Sequence, residues 1–286
     1  MKQVTRVFFI SLAISVIFII WGLISEDALP EWNLDTVTTA VQGFLVTRFG
    51  WFYLLVTTTF LIFALYLIFS KYGNIVLGKD GDKPEYNYLT WFGMLFSAGM
   101  GIGLVFWGAA EPISHLHSPP YSTGSDSEAA RIAMQYSFFH WGLHPWAVYA
   151  TLALALAYFQ FRKEEPGLIS STLKPLYGKK MENGYGTLID VIAVFATIFG
   201  VATSLGLGAQ QISSGLAFIS DITNTKTTQM VIIAIVTVLF MSSAVTGLNK
   251  GIKYLSTANI VVAILLMFFL LFTGPTNFIM NFFTLR

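Results

Sequence analysis

Cut at every Asp, Glu, Lys and Arg, the chain leaves seven charge-free stretches of 19 residues or more: 7–25, 49–70, 86–110, 132–161, 191–220, 227–249 and 254–285. The next longest, 112–125 and 36–47, hold only 14 and 12 residues. Roughly 20 consecutive apolar residues span the hydrocarbon core of a bilayer, so the pattern predicts seven transmembrane helices. Polar signals punctuate them. Glu26, Asp27, Glu31 and Asp35 make an acidic loop after the first, and Trp51 and Tyr53 sit where an interfacial aromatic belt belongs. The third stretch is expected to end at Glu111-Pro112, since proline stops a helix. Ser125 to Glu128 reads as a capping box that starts the fourth helix. A short surface helix is expected around Ser170 to Leu176, and an amphipathic piece from Asn277 to Arg286.

Composition agrees with a membrane protein. Hydrophobic residues make up 55% of the 286, charged residues 11%, and the mean hydropathy is +0.67; soluble domains carry about 25% charged residues. Charge distribution gives orientation. With the N-terminus inside, Lys2, Arg6, Lys71, Lys79, Lys83, Arg162, Lys163, Lys174, Lys179, Lys180, Lys250 and Lys253 are cytoplasmic, against Arg48, Arg131, Lys226 and Arg286 outside. That bias predicts a cytoplasmic N-terminus and, with seven spans, an external C-terminus. The first apolar stretch lacks a small-residue cleavage site, so no signal peptide is expected. The chain has no cysteine, which excludes disulfides and thiol chemistry.

Inside the third stretch, Gly99, Gly101 and Gly103 sit two apart. Each glycine in a helix interior costs up to ~1 kcal/mol against alanine, and three together invite the backbone to open. Transporters use opened backbone near the bilayer midplane to meet ions and substrates. The competing reading is helix packing through the Gly99-x-x-x-Gly103 pair. A nucleotide fingerprint needs a different spacing and a strand before it.

The fourth stretch reads His140-Trp141-Gly142-Leu143-His144-Pro145-Trp146-Ala147-Val148-Tyr149. With Pro145 bending the backbone, Trp141, Trp146 and Tyr149 could converge into an aromatic box for a quaternary ammonium. Ordinary aromatic packing is the alternative in a chain that is 16% aromatic. His140 and His144 have metal-ligand spacing, but 132–161 offers no carboxylate or cysteine to complete a site, so no metal is expected. The fifth stretch offers Thr197, Thr203, Ser204, Gln210 and Gln211 as oxygen donors for an alkali cation, or as bonds to neighbouring backbone. The charge-free spans hold no Asp, Glu or Lys for a proton relay.

Residues 91–112, from Trp91-Phe-Gly-Met to Gly108-Ala-Ala-Glu-Pro112, resemble the signature of the betaine/carnitine/choline transporter (BCCT) family. His140-Trp-x-x-His-Pro-Trp146-x-x-Tyr149 and Phe199-Gly-x-Ala-Thr-Ser-Leu-Gly-Leu-Gly-Ala-Gln-Gln211 are similar to its next two landmarks. The nearest likeness is to Gram-positive glycine betaine uptake proteins. The resemblance implies an all-α polytopic membrane protein, the first half of a LeuT-like inverted-repeat transporter. Residues 1–85 would be two leading helices, 86–275 the first five-helix repeat and 276–286 an external tail, with the second repeat absent.

Carried over by position, Gly99, Met100, Gly101 and Gly103 would be the unwound segment at the substrate. Trp141, Trp146 and Tyr149 would be half of its aromatic cage. The carbonyls of Ser97 and Met100 would serve one sodium site and Thr197 a second. Sodium-coupled relatives often place a threonine one turn after Thr197, where this chain has Val201. Relatives that carry choline tend to have Asp within the glycine run, and uncharged Gly103 favours a zwitterion. The implied function is uptake of a quaternary-ammonium osmolyte, glycine betaine before choline or carnitine, by sodium symport, with the shortened chain inactive alone. The rival readings are a structural membrane subunit or a remnant of a split transporter. A receptor or retinal pump lacks its lysine in 254–285, and an enzyme lacks acid/base residues within the spans. Partners are the small solute and the cell-membrane bilayer, with a homo-oligomer left open and no nucleic acid. No cofactor is expected beyond Na+.

Overall fold

The computed structural model describes residues 5–25, 27–99, 101–121, 124–247 and 251–284, with the side chains of Ala98 and Phe283 outside that description. Every regular element among the described residues is a helix. Among the described residues five helices are long and apolar enough to cross a membrane, or six with a bent pair taken as one span. The helix over the first stretch, α1 (Arg6–Gly22), has 17 residues. At 1.5 Å per residue that is about 25 Å, a little short of the bilayer core.

The chain divides into two compact units, Met1–Asp82 with Glu111–Val201, and Lys83–Ala110 with Ala202–Arg286. In the first, α1 turns Ser11, Ser15 and Phe18 to one side, at helical spacing of four and three. Both serines are buried, and the Phe18 ring meets Phe195 and Phe199 at 5.0 and 5.4 Å. The outward side chains of α1, such as Phe9, Ile17 and Ile20, are large and apolar. That is the membrane pattern: lipid tails solvate leucine as well as a core does, so small and polar residues make the helix contacts.

Helix α2 (Leu34–Phe69) begins well before the charge-free stretch at 49, because the side chain of Asn33 accepts the Thr36 N–H at 2.8 Å and starts it there. Asp35 and Arg48 are simply carried on it. The glycine run separates α3 (Tyr88–Gly99) from α4 (Ile102–His117). Pro112 does not stop α4, contrary to the sequence expectation; the helix runs five residues further. A proline inside a helix costs about 3 kcal/mol, and the turn beyond it is held by His115 Nε2 against Glu111 Oε1 at 3.2 Å.

Helix α5 (Asp126–Trp141) starts on the expected cap, with Ser125 Oγ accepting the Glu128 N–H and Glu128 reaching back to the N–H of Gly124 at 2.8 Å. It breaks at Gly142 and continues as α6 (Leu143–Ala157), closed by a π turn over Tyr158–Arg162. The surface helix appears as α7 (Ile169–Tyr177). Its N-terminus has no local cap; buried Asp190 supplies one, accepting from Ser170 N at 3.0 Å and Ser170 Oγ at 2.7 Å. Asp190 rides on α8 (Gly184–Ile219), which starts seven residues ahead of its charge-free stretch. Arg162 clasps the loop after α2, donating to the carbonyls of Val76 and Gly78 and to Asp80 Oδ1 at 2.8 Å. Lys79 pairs with Glu164 beside it.

In the second unit α3 packs on α10 (Lys253–Thr273), where Ser97 Oγ donates to the Ser256 carbonyl at 3.1 Å and accepts from Asn259 at 3.2 Å. Ile102 at the start of α4 lies so near α8 that a Cβ on Gly208 would meet it at 3.4 Å. Helix α9 (Lys226–Thr246) is joined to α8 through Asn224, which accepts from Ser213 at 2.8 Å and donates to Ser214 at 3.0 Å. The amphipathic tail is a helix, α11 (Thr276–Thr284).

Candidate functional site

The glycine run breaks the helix as its composition predicts. α3 stops at Gly99, α4 starts at Ile102, and between Tyr88–Ser97 and Ile102–His117 the axis turns by 59°. Gly99 and Gly103 therefore belong to different helices, and the packing reading of a Gly-x-x-x-Gly face fails. A Cβ on Gly101 would meet nothing within 4 Å, and its φ is not in the left-handed region. The Gly101 carbonyl accepts from Val105 at 3.4 Å as the first bond of α4. Met100, expected to touch both substrate and sodium, lies outside the described residues.

The aromatic segment breaks differently. Gly142 sits at φ −84°, ψ −145° between α5 and α6, and a Cβ there would lie 2.6 Å from the Phe138 carbonyl. Pro145 is not a bend in mid-helix, as the sequence suggested. It occupies the first turn of α6, where a missing N–H costs nothing. The Trp141 carbonyl, freed by the break, accepts instead from the Trp146 indole Nε1 at 3.1 Å. One helical turn on, Tyr149 meets Trp146 edge to face, with centroids 6.1 Å apart at 82°. Tyr149 is exposed and both tryptophans half-buried.

Trp141 is held by a residue that sequence reasoning treated only as a helix end. Its Nε1 donates to Glu111 Oε2 at 2.6 Å. Glu111 Oε1 also meets His115 Nε2 at 3.2 Å and His140 Nδ1. The Glu111 side chain is 12% exposed, His115 22% and His140 44%. With the carboxylate ionised, each facing imidazole nitrogen donates a proton, so three N–H groups compensate one desolvated charge. Contrary to the sequence expectation, the span built on 86–110 does carry a carboxylate, because α4 continues through Glu111. The pairing of His140 with His144 is corrected too. The break at Gly142 divides them, and His144 packs on the Phe139 ring at 5.0 Å. An ionisable residue flush against a long apolar run was the available signal.

Of the expected sodium donors, Thr197 Oγ1 donates to the Ala193 carbonyl at 2.8 Å, which leaves its lone pairs available. The Ser97 hydroxyl is engaged with α10 as described. Gln211 Oε1 is buried with no hydrogen-bond partner among the described residues.

Comparison with known proteins covers nearly the whole chain. A model of the betaine/carnitine/choline family transporters matches residues 6–285. The glycine betaine transporter OpuD of Bacillus subtilis is 55% identical over 285 residues, 99% of this chain and 55% of the relative. A probable glycine betaine transporter of Desulfitobacterium hafniense is 46% identical over 99% of the chain and 56% of its own length. The ectoine/hydroxyectoine transporter of Virgibacillus pantothenticus is 43% identical over 94% and 54%. The chain thus spans about half the length of these curated relatives. A family match along the whole of 6–285 leaves one assignment: the chain belongs to the betaine/carnitine/choline family of transporters.

Proposed function

We propose that this chain carries the substrate-contacting helices of a sodium-coupled carrier that takes up glycine betaine as an osmolyte. The observation that carries the reading is the break at Gly142, where the Trp146 indole is fixed on the Trp141 carbonyl with Tyr149 against it one turn on. Aromatic faces held in place are what a trimethylammonium group requires. Each contact contributes about 0.5 to 2 kcal/mol, more when desolvated. Trp141, Trp146 and Tyr149 are the aromatic partners. Gly99, Met100, Gly101 and Gly103 are the backbone segment that meets the substrate. Uncharged Gly103 suits a zwitterion, and the two relatives above 45% identity bear glycine betaine names, against an ectoine name at 43%. Sodium is assigned to the carbonyls of Ser97 and Met100 and, less completely, to Thr197, since Val201 supplies no hydroxyl. Residues 1–85 act as leading helices and 86–275 as a five-helix repeat of LeuT type. The N-terminus is cytoplasmic and residue 286 external.

The test is a chimera in which residues 1–286 replace the matching segment of the Bacillus subtilis relative, assayed in proteoliposomes under an inward sodium gradient. The expected outcome is sodium-dependent accumulation of labelled glycine betaine, lost without the gradient. The 286-residue chain alone is expected to accumulate nothing above empty vesicles, because alternating access moves one repeat against an inverted partner. A correctly inserted chimera that ignores glycine betaine overturns the substrate; equal uptake in potassium overturns the coupling ion.

A further inference from the structure

Sequence alone set aside a metal site because the aromatic stretch offers no carboxylate. The fold supplies one from the preceding helix. Glu111 and His115, four apart on α4, face His140 of α5, and their three ligand atoms lie within 4.8 Å of one another. From this geometry we infer that Glu111, His115 and His140 form a binding site for a divalent transition cation of the zinc type, a role separate from the substrate residues proposed above.

Two imidazoles and one carboxylate are a common catalytic-type set for such ions, leaving further positions to water. With metal–ligand bonds near ~2.1 Å, ligand atoms of a tetrahedral site lie about 3.4 Å apart. His115 Nε2 and Glu111 Oε1 are already 3.2 Å apart, and the rings of His115 and His140 are 5.6 Å apart. The carboxylate is also pre-oriented. Trp141 holds Oε2 at 2.6 Å, so Oε1 is the oxygen left to the two imidazoles. Such an outer hydrogen bond fixes ligand geometry in metal sites. Exposure rises from Glu111 at 12% to His140 at 44%, which gives an ion its way in. Binding turns each neutral imidazole to the tautomer whose lone pair faces the cation, the ring proton moving to its other nitrogen. A bound cation then ties α4 to α5 directly beside Trp141.

The chain makes the test clean, since it has four histidines, at 115, 117, 140 and 144, and no cysteine. The tag-free 286-residue chain in detergent is stripped with chelator and titrated with Co2+. The expected result is one-to-one binding with the visible absorption of low-coordinate cobalt, displaced by Zn2+. His117→Ala with His144→Ala leaves only the two proposed histidines and is expected to bind unchanged. His140→Ala and Glu111→Gln, each checked for helicity by circular dichroism, are expected to bind at least tenfold more weakly. Trp141→Phe should fall between them and the parent. His140→Ala removes an exposed side chain, so it reads the site even if Glu111→Gln fails to fold. No stoichiometric binding by the parent overturns the inference, as does binding that survives His140→Ala or vanishes in the His117/His144 double variant. Neither result bears on betaine uptake.

Discussion

Two helix breaks among the described residues occur at glycine, and they are built for opposite ends. At Gly101 the backbone opens onto space: an added Cβ would touch nothing within 4 Å, and the helix axis turns by 59°. At Gly142 the backbone is crowded, with the Phe138 carbonyl 2.6 Å from where a Cβ would sit. There the freed acceptor is filled at once by the protein's own Trp146 indole. An opened span leaves polar backbone that something must satisfy. The first break leaves room for a ligand to do so. The second spends the opportunity on fixing side chains, so it positions aromatic faces and offers little backbone.

The comparison is most sharply tested at Gly101. In the chimera, Gly101→Leu is expected to abolish glycine betaine uptake while membrane insertion and helicity persist, because the side chain fills ligand space and meets no protein. Normal uptake in a well-expressed Leu variant would make the open break a mere bend.

Trp146→Ala is expected to cut apparent affinity for betaine about tenfold or more, since one desolvated cation–π face is worth about 2 kcal/mol. Trp146→Phe keeps a ring but loses the bond to the Trp141 carbonyl and should lie between. Competition binding reads both, and equal affinity in all three proteins would return the aromatic group to ordinary packing.

The two glycines should separate again under the smallest substitution. Gly142→Ala forces a methyl against backbone and is expected to lower the melting temperature by several degrees, as a loss of 1 to 3 kcal/mol would. Gly101→Ala should leave it within a degree. Thermal denaturation of the two variants side by side decides it, and equal shifts would erase the distinction.

The smallest effect belongs to the loop clasp. The Lys79 ammonium holds the Glu164 carboxyl below its ordinary range, through a side-chain hydrogen bond and then charge, and Glu164 raises Lys79 in return. Glu164 therefore contributes stability above its free pKa of about 4.3, lost as pH falls through its lowered folded value. Lys79 contributes below about 10.4, lost as pH rises through its raised one. The pair is two-thirds exposed, so the contribution is small. Protease cleavage within 71–85 should rise modestly below pH 4 and lose that dependence in Glu164→Gln. A pH profile identical in the two proteins would remove the clasp from the account.

Local signals were legible in the sequence because local physics made them. Charge-free length marked the apolar helices, three glycines marked the break before α4, and Ser125 marked the start of α5. The surface helix expected around Ser170 to Leu176 and the amphipathic piece from Asn277 appear as α7 and α11. Each of these is settled within a few residues, by backbone freedom, a cap or a helical period. The tertiary structure decided what those rules leave open. Pro112 stays inside α4 because Glu111 and His115 hold the turn beyond it. α7 is capped by Asp190, twenty residues on. Trp141 is held by Glu111, thirty residues back. Such pairings have no period and no spacing rule. A buried carboxylate costs too much alone, and only the packed helices bring it the three N–H groups that make it tolerable.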